Sequence, residues 1–145
     1  MSTNGESDVG RFKLELKLAN NDDVSAAERG DLDATKVRRL TIPGVVDSGA
    51  AHLVLPEAAA KTLGLPGKGK AMVRYADGRT VERPRVKGVY LELLGRDGVF
   101  TATVEPDRET ALIGAIVLEE LDFLVDCTKG TLYPRNPDYV VSEAE

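Results

Sequence analysis

The feature that most constrains this chain is a succession of short apolar runs, each cut off by a turn signal before it reaches the length of an ordinary helix. Phe12-Lys13-Leu14-Glu15-Leu16-Lys17-Leu18 alternates apolar and charged residues, the period of a half-buried strand. Val37 to Val46 predicts a second strand, interrupted by Pro43-Gly44, and Leu53-Val54-Leu55 a third. Ala71 to Tyr75 predicts a strand that turns at Ala76-Asp77-Gly78-Arg79 and returns at Thr80-Val81-Glu82. Asp-Gly between strand-like runs is a strong hairpin signal, read here as a two-residue turn with positive φ at both positions. A second hairpin is expected from Val89 to Leu94 and from Val99 to Val104, joined by Gly95 to Gly98. Ala111-Leu112-Ile113-Gly114, Phe123 to Asp126 and Thr131 to Pro134 read as further short strands.

Helical signals are few. Pro56 can open a helix, Glu57 suits its positive start, and Ala58 to Leu63 continues it until Gly64. Ala115 to Leu121 has helical spacing at Ile116, Val117 and Leu121. The stretch from Asn20 to Ala34 is polar and acidic and reads as a loop. Many short strands with one or two short helices predict an all-β domain with a closed, barrel-like sheet. Its expected limits are residues 10–135, with a disordered N-terminal tail at 1–9 and a C-terminal tail at 136–145.

A chain of 145 residues suits one domain with a modest core. The net charge of −5 argues against nucleic acid as a partner, because phosphate contacts need a basic face. Lys36-Val37-Arg38-Arg39 is short and reads as the solvated side of a strand. No run is long and apolar enough to suggest a membrane span or a leader. Cys127 is the only cysteine, which excludes an intrachain disulfide and suits a reducing, cytoplasmic setting. It is expected to be a core thiol, and His52, the only histidine, a loop or packing residue. A lone His also argues against a His-based metal site, and neither a metal nor an organic cofactor is expected.

The stretch with chemical content is Val45-Val46-Asp47-Ser48-Gly49-Ala50. A buried strand that stops at an aspartate presents its carboxylate at a fixed place. Ser48 and the amides around Gly49 can hydrogen-bond that carboxylate, and Gly49 and Ala50 leave room for close approach. Asp, Ser and Gly are also turn formers, so the stretch alone is compatible with a plain turn after a strand.

Taken with three stretches further along, it makes the chain resemble the retropepsin-like aspartic proteases, the single-domain type that works as a homodimer, and within them the small bacterial proteins predicted to be such proteases. The resemblance rests on Val45 to Ala50, on Leu53-Val54-Leu55-Pro56 with the helix ending Leu63-Gly64-Leu65, and on the Tyr75-Ala76-Asp77-Gly78-Arg79 hairpin. Leu112-Ile113-Gly114, followed by a helix and Leu121 to Asp126, completes it. Order and rough spacing agree over about residues 10 to 135. Two positions depart from the family pattern: Ser48 stands where Thr is commoner, and Ala115 where viral members carry an Arg that forms an ion pair between subunits.

The resemblance implies peptide hydrolysis, with Asp47 as the catalytic carboxylate and Ser48, Gly49 and Ala50 as its loop. Tyr75, Ala76, Asp77, Gly78 and Arg79 would form a flap over an extended peptide. Leu112, Ile113 and Gly114 would be the second signature. Val54, Leu112 and Ile113 are candidates for apolar pockets, with plain core as the alternative. Water attack on an amide needs one group to take a proton and another to give one, which two carboxylates sharing one proton can do. No other Asp here has the strand-Asp-Ser-Gly setting, so the second carboxylate would be Asp47 of a second copy. Charges about 4 Å apart at an effective dielectric of about 20 repel by roughly 4 kcal/mol, enough to favour one shared proton. The alternative is a catalytically silent module of the same fold that binds peptides or proteins as a dimer.

Overall fold

The computed structural model describes residues 11–144, and the expected N-terminal tail lies outside them. Nine strands are present among the described residues: β1 (Arg11–Asn20), β2 (Arg39–Asp47), β3 (Leu53–Pro56), β4 (Gly67–Arg74), β5 (Thr80–Leu93), β6 (Arg96–Glu105), β7 (Ala111–Ile113), β8 (Phe123–Asp126) and β9 (Thr131–Pro134). Among the described residues three short α-helices, α1 (Asn21–Glu28), α2 (Glu57–Leu63) and α3 (Ala115–Leu121), and one 3-10 turn (Ala34–Lys36) join them. The main sheet runs β1-β2-β7-β3-β6-β5-β4, and β1 also pairs with β5. That second pairing closes six strands into a barrel and leaves β4 attached outside the closure. β8 and β9 form a separate two-stranded sheet.

The fold is all-β and barrel-like, as the short alternating runs predict. Alternation sorts the barrel wall into two faces. Val46, Leu53, Leu55, Ala102, Val104, Ala111 and Ile113 point inward and are buried, joined there by Leu16, Leu18, Leu91 and Leu93. The residues between them point outward. Gly44 is inward as well: a Cβ there would lie 2.7 Å from Cδ1 of Ile113, so the close approach of β2 to β7 needs a glycine.

Several expectations are corrected. The stretch read as a loop from Asn20 contains α1. Oδ1 of Asn20 accepts a hydrogen bond from the Asp23 amide at 3.1 Å and caps the helix, and Asp22 and Asp23 sit in its first turn. No residue of α1 is buried, so there was no apolar stripe to read. β2 runs through Pro43-Gly44 without a break. β7 begins to pair with it only at Gly44, so the missing N–H of Pro43 falls beyond the stretch flanked on both sides. Thr80 and Leu93 belong to one long strand, with a register shift between Val86 and Val89 where Gly88 takes φ +69°.

Both hairpin turns differ from expectation. At Asp77-Gly78 the Tyr75 amide donates to the Arg79 carbonyl and the Gly78 amide to the Tyr75 carbonyl, with φ +88° at Gly78 alone. This is a three-residue loop, a turn followed by a left-handed glycine. The two-residue turn with positive φ at both positions is Leu94-Gly95, at +49° and +85°, between the paired residues Leu93 and Arg96. In α3 the buried residues are Val117, Leu118 and Leu121, while Ile116 is 47% exposed. Cys127 is exposed, because it falls in the β8–β9 turn, where Oδ1 of Asp126 accepts from the amides of Thr128 and Lys129.

Candidate active site

The strand order explains where Asp47 stands. β2 lies parallel to one side of β7, and β3 lies antiparallel to the other. The connection from β2 to β3, residues 48–52, must therefore cross the end of β7, where Gly114 follows Ile113. Its carbonyls meet the start of α3 there. The Ala115 amide donates to the Ala50 carbonyl at 2.8 Å, and the Ile116 amide to the Ala51 carbonyl at 2.9 Å. A Cβ on Gly114 would lie 2.5 Å from the His52 carbonyl oxygen and 2.8 Å from that of Ala50. Gly114 is thus required for space, its φ of −95° being ordinary.

Asp47 ends β2 with its side chain 27% exposed. Its Oδ1 accepts from the Gly49 amide at 3.0 Å, and its carbonyl accepts from the Ala50 amide at 3.0 Å, so the loop folds back on the carboxylate. Ser48 is exposed on the same loop, as is His52 at its far end. Oδ2 of Asp47 lies 3.4 Å from Nε of Arg11, which the β1–β2 register sets directly opposite. Arg11 was missed from sequence because only the strand pairing brings it there. Burial pushes the Arg108 guanidinium below its usual pKa, and Arg11 nearby pushes the same way while Glu105 opposes both.

The registers place one outward face across the whole wall. Val45 pairs with Leu112, Leu112 with Val54, Val54 with Thr103, Thr103 with Arg85, and Arg83 with Ala71. Asp47 is two residues on from Val45, and Tyr75 four on from Ala71, so by alternation both lie on that face. Val45, Val54 and Leu112 are half-buried on it, whereas Ile113 is fully buried in the barrel core. A groove of about 590 Å³ opens on the face, between Ala71 and Arg85 of the β4–β5 hairpin, Thr101 and Thr103 of β6, and His52 and Ile116. His52 brings the Asp47 loop to its wall.

The hairpin turn makes its polar contacts with β6 rather than with Asp47. The Tyr75 hydroxyl donates to Oε2 of Glu105 at 2.6 Å and accepts from Nε of Arg83 at 3.0 Å. Nε of Arg83 is also 3.0 Å from Oε1 of Glu105. The Arg79 guanidinium lies 4.7 Å from the centre of the Tyr75 ring, and Oδ1 of Asp77 accepts from the Arg79 amide. Ala76, Asp77 and Gly78 are exposed. No local sequence signal marks Glu105 and Arg83, because continuing the β5–β6 register is what sets them side by side. Among the described residues no cluster of three or more His, Cys, Asp or Glu is placed to hold a metal ion.

A closed barrel, with an aspartate at the end of β2 and a glycine-dependent crossing over β7, fits an aspartic-protease type of fold. The family model for aspartyl proteases, of the retropepsin-like kind, matches residues 34–117, more than half of the chain. The chain belongs to that family. No curated protein matches it.

Proposed function

We propose that the protein is a homodimeric aspartic endopeptidase in which Asp47 of each of two copies supplies one of the two catalytic carboxylates. The observation that carries this reading is the shared outward face: Asp47, the half-buried Val54 and Leu112, and the inner side of the β4–β5 hairpin lie on one surface with a groove along it. An extended peptide laid there would have the Asp47 loop, through His52, at one wall and the β4–β5 hairpin above it. In the mechanism, the ionised carboxylate takes a proton from water as the water oxygen bonds to the scissile carbonyl carbon, and the protonated carboxyl gives its proton to the carbonyl oxygen. The tetrahedral diol then collapses, the C–N bond breaks, and a proton passes to the departing amine.

One chain brings one Asp47, and a two-fold axis sets identical residues opposite each other. The β8–β9 sheet suits the contact between copies. It has only two strands, and its directly paired residues Leu124 and Tyr133 are both exposed. A reducing compartment such as the cytoplasm suits the exposed thiol of Cys127.

The test is digestion of a diverse peptide pool by the protein and by its Asp47→Asn variant, read by mass spectrometry. Cleavage by the parent alone supports the reading. No cleavage by either over acid to neutral pH would leave the silent binding module as the better account. Specific activity should also fall on dilution, and excess Asp47→Asn chains should poison the parent. Constant specific activity in a range where ultracentrifugation shows only monomer contradicts the dimer.

A further inference from the structure

We propose that Glu105 is a positioning residue for the β4–β5 hairpin: through Tyr75 and Arg83 it clasps the hairpin end to β6 in the pose that grips substrate. This rests on reading the hairpin as the lid of the groove. In the sheet β4 pairs only with β5, so nothing in the backbone ladder ties the Tyr75 end to the rest of the wall. The tie is made by side chains that bridge from β4 over β5 to β6. Tyr75 donates to one oxygen of Glu105, Arg83 lies against the other, and the tyrosine oxygen accepts from Arg83, so the three groups form a closed triangle.

The triangle lies on the outward face that carries Asp47 and the groove. Glu105 is on the same side of β6 as Thr101 and Thr103, and Arg83 on the same side of β5 as Arg85. The side chains of Glu105 and Arg83 are only 12% and 23% exposed, so water competes weakly for the contacts. The hydrogen bond that Arg83 donates to the Tyr75 hydroxyl keeps its guanidinium above the ordinary pKa, as does the nearby Glu105. Tyr75 is further fixed by Arg79 packed on its ring. A hydrogen bond to a charged carboxylate in such a setting is the strong kind, so losing it should shift the lid equilibrium by about tenfold.

The clean variant is Tyr75→Phe, which removes the hydroxyl and leaves Arg83 and Glu105 paired with each other. Hydrogen exchange of the Tyr75 and Gly78 amides, whose acceptors close the turn, reads the clasp in the full chain without any need for catalysis. We expect that exchange to speed up by about tenfold, with Leu91 and Phe100 in the barrel wall unchanged. Glu105→Gln, which keeps an acceptor for the tyrosine, should fall between Tyr75→Phe and the parent. On a cleaved peptide, Tyr75→Phe should raise KM by a similar factor and change kcat by less than about twofold. Unchanged exchange overturns the clasp. Faster exchange with KM unchanged, or with KM lowered, overturns its role in gripping substrate while leaving the chemistry of Asp47 intact.

Discussion

The molecule holds two things in place by different means. The Asp47 loop is held by backbone, through amides at the start of α3 that bond its carbonyls and through a glycine at the crossing. The Tyr75–Arg79 turn is tied to the wall by side chains, a tyrosine, a glutamate and an arginine that are mostly shielded from water. Backbone bonds that join this crossing to α3 and the end of β7 are part of the barrel's own framework. A side-chain clasp can let go alone. On the proposed function, the contrast separates the catalytic group, held fixed, from the hairpin, free to move for a substrate.

The largest expected effect tests the fixed side. Asp47→Asn should lower the rate of peptide cleavage by a factor on the order of 10³ or more, with thermal unfolding nearly unchanged, since Asn is isosteric but cannot exchange the proton. A variant that cleaves near the parent rate removes Asp47 from the chemistry. Next comes Gly114→Ala, where the new methyl would meet two backbone carbonyl oxygens that cannot turn aside. It should cost about 2–4 kcal/mol by denaturant titration. A loss below about 0.5 kcal/mol would mean that the crossing yields more easily than its close contacts imply.

Gly78→Val probes the held side. Gly78 has φ +88° and open space around it, so the penalty is conformational, about 1–2 kcal/mol for a left-handed residue. It should fall on the turn, weakening substrate binding and speeding exchange there, while unfolding of the barrel changes little. An equal loss of global stability would make the hairpin part of the framework. The smallest effect is expected at the other hairpin, where Leu94→Gly relieves a left-handed leucine that is 58% exposed. Stability should rise by about 0.5 kcal/mol, the strain relieved being partly offset by glycine's freedom in the unfolded chain. A fall would show that Leu94 contributes contacts that outweigh its backbone.

These residues also show what could be read from sequence. Short-range periodicity carried the all-β class, the strand ending at Asp47, and the helices at Glu57 and Ala115. It failed where the deciding contact is distant or apolar periodicity is absent. α1 has no buried side, and its start is announced only by Asn20 and the acidic first turn. The Asp77-Gly78 signal predicts the geometry that Leu94-Gly95 adopts instead, because loop length depends on how far the flanking strands pair. Ile113 and Leu112 are adjacent in sequence and apolar alike, yet one is core and the other faces outward, a choice set by register with β2 and β3. Arg11 beside Asp47 and Glu105 beside Arg83 are products of register too, and no local signal marks them.

Closure of the barrel by β1 on β5 has a kinetic consequence. Leu18 and Leu91, paired across that seam, are more than seventy positions apart in the chain. The β4–β5 and β5–β6 hairpins need only short loops, and a hairpin forms in roughly 1–10 μs. The barrel is complete only when β2, β7, β3 and β6, which lie between the two edges, have paired as well. A topology this rich in distant pairings belongs to the slow regime, roughly milliseconds to seconds. During that interval β1 and β5 both present unpaired edges, so a nascent chain passes through an open-seamed sheet that can join a neighbour's before it joins its own.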